Sequence, residues 1–212
     1  MAFDGFFVRK LVEEFNESIL YSRINKINNL SNDEFIFSIR KGKNLKLYVS
    51  ANSSASRIQL TNNSYENPQT PSNFCSVLRK YLMGGIIEEI NQINNDRIIK
   101  FKIKNFDELG YEKYYFLITE LMGKHSNIIL TNSDNIIIES LKNSYSLEFC
   151  RSTISNMEYV LPPTVKKYNP FNFSEYSNLI CDKNDKKFLI KNFYGVSSVL
   201  NNYFLNREED TL

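Results

Sequence analysis

The sequence predicts an α+β fold in which a run of short strands is flanked by helices. One observation is an apolar stripe at helical spacing near the start of the chain, formed by Phe7, Leu11, Phe15 and Ile19. A second is a series of short segments with alternating apolar and polar residues, separated by turn-forming residues. A third is composition. With 42% hydrophobic and 14% aromatic residues over 212 positions, the chain can build a core for one large domain, or for one domain with an appendage.

The N-terminal third is predicted to be a helix followed by a β-meander. Asp4 can cap a helix that runs to about Tyr21, because its carboxylate can accept hydrogen bonds from free amides of the first turn. Lys41-Gly42-Lys43-Asn44 has the composition of a hairpin turn between two alternating segments. The strands predicted here are Arg23–Ile27, Glu34–Arg40, Leu45–Val49 and Arg57–Thr61.

A second helix precedes a second group of strands. This helix is predicted from about Ser72 to Met83, after a polar loop that contains prolines, and Gly84-Gly85 ends it. Thr131–Asn135 supplies a turn between the last two strands of the group. The predicted strands are Gly85–Ile93, Ile98–Lys104, Lys113–Glu120, Ser126–Leu130 and Ile136–Leu141.

The C-terminal tail is predicted to be helical. The composition changes after Pro162-Pro163, and Tyr168-Asn169-Pro170 has the character of a linker. Tyr194–Ser197 resembles the turn of a helix-hairpin-helix, whose backbone amides can bind phosphate. Ser197 stands in place of the second glycine of that turn, and packing is the alternative role. The helices predicted in the tail are roughly Ser174–Cys181, Asp185–Phe193 and Val196–Asn206.

Bulk composition argues against several classes of protein. The net charge of +2 does not by itself indicate a nucleic-acid binder, so a phosphate-facing surface has to come from local clustering. No apolar run approaches the length of a membrane span and the start lacks a signal-peptide pattern, so we expect a soluble cytoplasmic protein. Cys75, Cys150 and Cys181 are odd in number and widely spaced, which favours reduced thiols. The chain has a single His, so the cysteines have little support as zinc ligands. Neither a metal nor a cofactor is expected.

The sequence gives little support for catalysis. The only His, His125, lies beside Ser126, but adjacency in sequence does not build a catalytic triad. Neither a Walker-type nor a GxGxxG loop occurs. Gly123-Lys124 suits a turn that presents backbone amides and a cation to a phosphate, with an ordinary β-turn as the alternative.

An acid and a base stand side by side at Asp96-Arg97, between the polar stretch Gln92–Asn95 and the β-like Ile98–Phe101. In isolation such a pair indicates a solvated ion pair. Basic residues elsewhere could share a surface with it if the sheet brings their strands together, and would then bind a polyanion by counterion release. They are Arg57, Arg79, Lys80, Lys100, Lys102, Lys104 and Lys124, of which Arg57, Arg79 and Lys124 are the predicted phosphate contacts.

Five segments, in order along the chain, resemble the N-terminal NFACT domain of the RqcH/NEMF family, also described as fibronectin-binding protein A-like. They are Met1–Gly5, Val49–Thr61, Asn67–Phe101, Glu120–Leu130 and Tyr159–Pro163. The resemblance defines a predicted NFACT domain over residues 1–171. Residues 172–212 resemble the start of the family's helix-hairpin-helix region. Because family members continue into a coiled coil and a second RNA-binding domain, we expect this chain to be a fragment of a longer protein.

The resemblance also implies a fold and a site. The fold is the β-sandwich with flanking helices found in the N-terminal domain of formamidopyrimidine-DNA glycosylases. The site combines an Asp-Arg motif, an acidic residue at the start of the first helix and a Glu-hydrophobic-Met patch, in which Leu121 departs from the more usual isoleucine. In such a site Arg97 can bind a phosphate or a base edge, while Asp96 accepts from a base amino group or orients Arg97. The residues implied in tRNA binding are Asp4, Asp96, Arg97, Glu120, Leu121 and Met122.

Members of this family act in ribosome-associated quality control. They bind the large (50S) ribosomal subunit that still holds a stalled peptidyl-tRNA, and they recruit charged tRNA, alanyl-tRNA in bacteria, for template-free C-terminal tailing of the nascent chain. The resemblance thus implies a tRNA-binding factor, not an enzyme. The alternatives are a fibronectin-binding surface protein, suggested by the family's older name, and a DNA-repair glycosylase, suggested by the fold. Those glycosylases begin with a proline nucleophile and a glutamate, where this chain has Ala2 and Phe3.

Overall fold

The computed structural model describes residues 3–66, 70–147, 151–179 and 185–207. The helices in these ranges are α1 Gly5–Ser18, α2 Asn73–Leu82, α3 Phe188–Asn192 and α4 Ser198–Arg207. The strands are β1 Arg23–Asn29, β2 Glu34–Lys41, β3 Lys43–Ser50, β4 Arg57–Thr61, β5 Ile86–Gln92, β6 Ile98–Phe106, β7 Glu112–Glu120, β8 Asn127–Asn132, β9 Ile137–Ser140, β10 Tyr145–Ser146 and β11 Arg151–Ser152. Short 3-10 turns occupy Gly123–His125 and Phe173–Glu175. The predicted α+β class is confirmed.

Helix α1 begins where the sequence predicts. Asp4 Oδ1 accepts a hydrogen bond from the amide of Phe7 at 3.0 Å, which satisfies one of the free amides of the first turn. The helix ends at Ser18, before the predicted Tyr21, which has a left-handed φ of 62°. The inward face of the helix consists of the buried residues Gly5, Val8, Leu11, Val12 and Phe15.

Strands β1 to β9 form one antiparallel sheet in the order β4-β3-β2-β1-β5-β6-β7-β8-β9. Apart from β1 and β5, neighbours in this sheet are also consecutive among the described strands. Arg23 and Ile86 form the single register pair that joins β1 to β5. Gly85 lies directly before this junction, and a Cβ there would stand 2.8 Å from Cγ2 of Ile103. A larger residue at this position would therefore clash with β6, the strand on the other side of β5.

All nine strands predicted from the sequence are present, and their ends differ by a few residues. Strand β4 matches the predicted Arg57–Thr61, whereas β2 and β3 both extend further, to the turn at Gly42. The two halves form one continuous sheet and contribute to a common core, and the glycosylase-like sandwich implied by the family resemblance stays a prediction. The pair β10 and β11 was not predicted, because two-residue strands have no readable period.

The main apolar core lies between the sheet and the helices α1 and α2. Phe15 of α1 and Phe101 of β6 meet there, with ring centroids 6.3 Å apart. Ile98 and Ile99 are neighbours in β6 but belong to different clusters, because successive side chains point to opposite faces of a strand. The second cluster contains Ile98, Ile118, Ile129 and Ile137 and covers the other face of β6 to β9.

Residues 168–170, predicted as a linker, are packed in the structure. The amide of Tyr168 donates to the carbonyl of Asn192 at 2.7 Å, and the amide of Tyr194 donates to the carbonyl of Tyr168 at 3.1 Å. Phe171 then packs against α1, where its ring lies 4.0 Å from the Arg9 guanidinium. These contacts cross the predicted domain boundary at residue 171, and the boundary itself stays a prediction.

Two of the three predicted tail helices are present in shortened form, as α3 and α4. The first, Ser174–Cys181, is wrong over its described residues, which form a 3-10 turn and a further turn. Tyr176 packs edge-on against Phe193 at a centroid distance of 4.9 Å, and this contact holds the chain in a turn. The turn at Tyr194–Ser197, which resembles that of a helix-hairpin-helix, does lie between α3 and α4. Its phosphate-binding role stays a prediction.

Cys75 is buried in α2, and its Sγ lies 3.8 Å from the carbonyl oxygen of Ile27. Burial raises the pKa of its thiol. Within the described ranges, no helix has the length and apolar character needed to cross a bilayer, and no cluster of His, Cys, Asp and Glu could hold a metal ion. Ala2, Asn67-Pro68, Cys150 and Cys181 lie outside the described residues.

Candidate nucleic-acid interface

Asp96 and Arg97 follow a tight hairpin turn between β5 and β6. Asn94 and Asn95 have left-handed φ angles of 51° and 53°, and the amide of Asp96 donates to the carbonyl of Ile93 at 2.9 Å. This is the pattern of a type I′ turn, which Asn tolerates better than other non-glycine residues. The turn places the Asp-Arg pair at the rim of the sheet.

Within the pair, Asp96 orients Arg97. Asp96 Oδ1 accepts a hydrogen bond from the amide of Arg97 at 2.7 Å and lies 3.7 Å from its Nε. The side chain of Arg97 is 41% exposed, against 20% for Asp96. An exposed ion pair of this kind adds little to stability, so its position suits binding better than folding.

Asp4, Asp96 and Arg97 line one cleft, with a volume of about 290 Å³. The chain supplies these residues from two places: Asp4 precedes α1, and the adjacent Asp96 and Arg97 stand at the end of the β5–β6 turn. Further walls come from the tail, notably Thr164, Lys167, Gly195 and Ser197. The fold thus brings together three of the six residues implied in tRNA binding.

Gln92 holds the sides of this cleft in place. Its Nε2 donates both to the carbonyl of Gly5, at 2.7 Å, and to the carbonyl of Asp96, at 2.8 Å. Asn95 Nδ2 donates to Asn169 Oδ1 at 2.8 Å, which ties the same turn to the tail. Helix α1, the β5–β6 turn and the tail are therefore cross-linked through side-chain amides.

Arg97 also lines a neighbouring cleft of about 520 Å³. The loop Ser53–Ser56 also lines this cleft and leads into Arg57, whose guanidinium lies 5.0 Å from the ring centre of Tyr48. Arg57 is exposed, so two guanidinium groups border one cleft. Its apolar lining includes Phe3, Phe7, Leu11 and Leu121.

The predicted patch Glu120-Leu121-Met122 is largely internal. Leu121 is 1% exposed, and its amide donates to the carbonyl of Arg97 at 2.9 Å. Met122 is half-buried and packs against the second apolar cluster. Leu121 therefore fixes the backbone of Arg97, while its own side chain forms part of the apolar lining.

Glu120 is 1% exposed and belongs to a buried polar network. Its Oε1 accepts hydrogen bonds from Arg151 and from the hydroxyl of Tyr159, the latter at 2.8 Å. Burial raises the pKa of Glu120, and the charge of Arg151 and the two hydrogen bonds oppose this rise. Burial, together with the charge of Glu120, also raises the pKa of Tyr159. In this conformation Glu120 has no surface with which to contact RNA.

Arg79, a predicted phosphate contact, has a structural position. Its Nε donates to the carbonyl of Ile27 at 2.6 Å, and an outer nitrogen donates to Asn28 Oδ1 at 2.8 Å. The guanidinium thus ties α2 to β1. The adjacent Lys80 is exposed, with its Nζ 5.4 Å from the ring centre of Tyr81.

The lysines of β6 face away from both clefts, on the side of the sheet that carries the second apolar cluster. Lys102 and Lys104 pair with Glu89 and Glu112, the first at 2.8 Å. The Nζ of Lys100 lies 3.7 Å from the ring centre of Phe116, and burial lowers the pKa of this lysine. The predicted basic surface is therefore assembled only in part, from Arg57 and Arg97.

Lys124 and His125 are exposed in the 3-10 turn that follows Met122. Gly123, with a left-handed φ of 57°, lines the second cleft, which places Lys124 beside it. The hydroxyl of Ser126 is buried and has no hydrogen-bond partner among the described residues, so it does not pair with His125.

Sequence reasoning missed three side chains that organise this region. Arg151 and Tyr159 are 31 and 39 positions from Glu120, and no local pattern signals such a pairing. Gln92 stood within a polar stretch without a distinguishing feature. Its position directly before an Asn-Asn turn is the signal that could have indicated a bridging role.

Comparison with known proteins identifies a family. The model of the NFACT N-terminal and middle domains matches residues 4–211. The Rqc2 homolog RqcH of Bacillus subtilis is 46% identical over 178 residues, which cover 82% of this chain and 31% of that protein. The human ribosome quality control complex subunit NEMF is 28% identical over 135 residues, which cover 64% of this chain and 12% of that protein. The chain thus spans about a third of the length of its bacterial relative, and less of the human one.

The fold also matches a solved structure. The crystal structure of the N-terminal domain of fibronectin-binding protein PavA from Streptococcus pneumoniae superposes with a TM-score of 0.90 at 35% sequence identity. The match covers 99% of this chain and 80% of that one. It therefore includes the sheet, the first helix and the tail that together form the clefts.

Proposed function

The chain belongs to the family of NFACT N-terminal and middle domains, and we propose that it is the RNA-recognition part of a ribosome quality-control factor. The observation that carries the proposal is the cleft in which Asp4, Asp96 and Arg97 meet. Asp4 is remote in sequence from Asp96 and Arg97, and an exposed arginine held by its neighbouring carboxylate is a suitable group for binding phosphate.

The proposed ligand is tRNA, bound on a large ribosomal subunit that still holds a stalled peptidyl-tRNA. In this proposal the factor recruits charged tRNA, alanyl-tRNA in bacteria, for template-free C-terminal tailing. Peptide-bond formation belongs to the ribosome, so the chain acts as a binding factor and not as an enzyme. A cytoplasmic location follows from that partner.

Apart from Asp4, which is treated below, each candidate residue has a proposed role that follows from its position. Arg97 and Arg57 bind phosphates at the borders of the second cleft, and Lys124 adds a cation beside it. Asp96 orients Arg97, and Leu121 holds its backbone. Glu120 and Met122 support this arrangement from the interior. Arg79 is not among the proposed contacts, because its guanidinium already donates to β1.

The test measures tRNA binding at several salt concentrations, with labelled tRNA and the chain with and without Arg97→Ala. Loss of one phosphate contact should weaken binding and lower the slope of log K against log salt by about one. The same assay with large subunits that carry peptidyl-tRNA extends the test to the proposed partner.

Lys113→Ala is the matched control. Lys113 is the second residue of β7 and lies about 24 Å along the strand from Glu120, at the 3.4 Å rise of an antiparallel strand. The variant therefore removes one positive charge far from the clefts. We expect wild-type affinity and slope. An equal effect of both variants, or an unchanged slope with Arg97→Ala, would refute the assignment of Arg97.

A second candidate function is fibronectin binding, favoured by the match to PavA, which is named a fibronectin-binding protein. Immobilised fibronectin and nuclease-treated chain provide the test. Saturable binding that survives Arg97→Ala would favour this function over RNA binding. A DNA-repair glycosylase is the least supported candidate, and borohydride trapping on damaged duplex should give no covalent adduct.

A further inference from the structure

Both carboxylate oxygens of Asp4 are engaged inside the protein. Oδ1 accepts the Phe7 amide at 3.0 Å and so caps α1, whereas Oδ2 accepts the hydroxyl of Ser197 at 2.7 Å. Asp4 and Ser197 are 193 positions apart, so the second bond joins the start of the chain to its tail. Asp4 thus has a partner on each of two elements that line the first cleft.

Ser197 has the same double role on the other side. Its Oγ accepts the amide of Leu200 at 3.1 Å, as a cap of α4, while its hydroxyl hydrogen goes to Asp4. The starts of α1 and α4 are therefore joined through the two capping side chains, in a continuous chain of hydrogen bonds.

The backbones meet beside these caps. The amide of Gly5 donates to the carbonyl of Gly195 at 3.0 Å. A Cβ on Gly5 would stand 2.5 Å from Cα of Gly195 and 2.0 Å from the carbonyl oxygen of Asn95. Only two glycines permit this approach, which sets the tail turn directly against the turn that carries Asp96-Arg97.

We propose that Asp4 is a positioning residue: with Ser197 it forms a latch that holds the Tyr194–Ser197 turn as a wall of the first cleft, beside the RNA-binding Arg97 that lines both clefts. This inference rests on the proposed function. A carboxylate that faced an RNA phosphate would repel it, whereas both oxygens of Asp4 accept hydrogen bonds from donors within the protein. The latch therefore acts on RNA through the geometry of the cleft.

Hydrogen exchange of the Gly5 amide reports the latch directly, because that amide donates from the start of α1 to the carbonyl of Gly195 in the tail turn. Asp4→Ala and Ser197→Ala should each accelerate its exchange on the order of tenfold, since each removes a charge-assisted hydrogen bond. In the double variant the effect should be smaller than the product of the two single effects. Asp4→Asn should restore protection, because its Oδ1 still caps α1 and its Nδ2 can donate to Ser197 Oγ. Ser198→Ala, one residue further along, is the matched control and should leave Gly5 protected.

The RNA assay then separates positioning from contact. Asp4→Ala and Ser197→Ala should lower tRNA affinity by no more than the factor measured by exchange, with the wild-type salt slope, because no phosphate contact is lost. Asp4→Asn should bind like the wild type. Tighter binding by Asp4→Ala and Asp4→Asn would show that the carboxylate merely repels RNA, and would overturn the proposal.

Unchanged exchange of Gly5 in both single variants would overturn the latch, whatever the RNA data show. The proposed function has a separate point of failure, namely absence of tRNA binding by the wild-type chain. If the wild-type chain does not bind tRNA but the variants show the expected exchange of Gly5, the latch between α1 and the tail stands. Its role in RNA binding is then refuted together with the proposed function.

Discussion

Truncation of Arg151 to Ala should destabilise the fold strongly, because it leaves Glu120 as a buried carboxylate without its cation. Glu120 is 1% exposed, and the side chain of Arg151 is 14% exposed. Breaking a buried ion pair from one side costs roughly 3–5 kcal/mol. Tyr159 still donates to Glu120 in the variant, so the lower figure of about 3 kcal/mol is expected. The melting temperature should then fall by roughly 6–12 °C.

The penalty should also depend on pH. Burial raises the pKa of Glu120 above 4.5, and Arg151 limits that rise. Without Arg151 the pKa rises further. A carboxyl whose pKa is higher in the folded than in the unfolded chain binds more protons when folded, so stability falls as pH rises from the unfolded pKa through the folded one. Arg151→Ala should therefore be more damaging at about pH 8 than at about pH 5.

Urea unfolding followed by circular dichroism at the two pH values measures this difference. Glu120→Gln in the Arg151→Ala background provides the control, since it removes the charge and retains the shape. The double variant should recover part of the lost stability at the higher pH and show the weaker pH dependence. An equal penalty at both pH values, or no recovery by Glu120→Gln, would refute the explanation through an unpaired carboxylate.

Other outcomes follow from single contacts. Arg79→Ala should lower the free energy of unfolding by roughly 1.5–3 kcal/mol, because it removes a charged donor to the carbonyl of Ile27. The variant should retain the wild-type salt slope for tRNA binding. A reduced slope would instead make Arg79 a phosphate contact. Gly85→Ala should cost roughly 1–3 kcal/mol in thermal unfolding, since its Cβ would overlap Ile103 of β6. An unchanged melting temperature would contradict this close packing of Gly85 against β6. Cys75 should react with iodoacetamide slowly in the folded chain and rapidly in urea, as read by peptide mass spectrometry, because burial both shields its thiol and raises its pKa; rapid labelling of the native chain would show that this part of α2 opens.

Much of the fold could be predicted because its strands carry local signals. The alternation around Phe101, Lys102 and Ile103 fixed both the existence and the two faces of β6, and the turn residues marked most strand ends. The connection of the two halves had no such signal, since it consists of one register pair and a few backbone hydrogen bonds between residues about sixty positions apart, such as Ile24 and Gly85. The tail was harder still, because aromatic contacts between remote residues override its weak helical pattern.

The sequence predicted which residues belong to the candidate site better than it predicted where the fold places each of them. The family resemblance pointed to Asp96 and Arg97, and the fold does place them on an exposed rim. It did not indicate that Glu120 is internal, because burial of a carboxylate depends on partners far away in the sequence. Nor could it show that Arg79 donates to a neighbouring strand while Arg57 borders a cleft.

The narrow junction between β1 and β5 has a consequence for how the chain reaches its fold. On either side of it, described strands pair with their sequence neighbours, so each hairpin series can zip up by short loop closures that carry a small entropic cost. The long-range step is the meeting of Arg23 with Ile86, together with collapse onto the shared core. During synthesis the first series, β1 to β4, can therefore assemble while the second is still being made, and docking of the two halves becomes the late event.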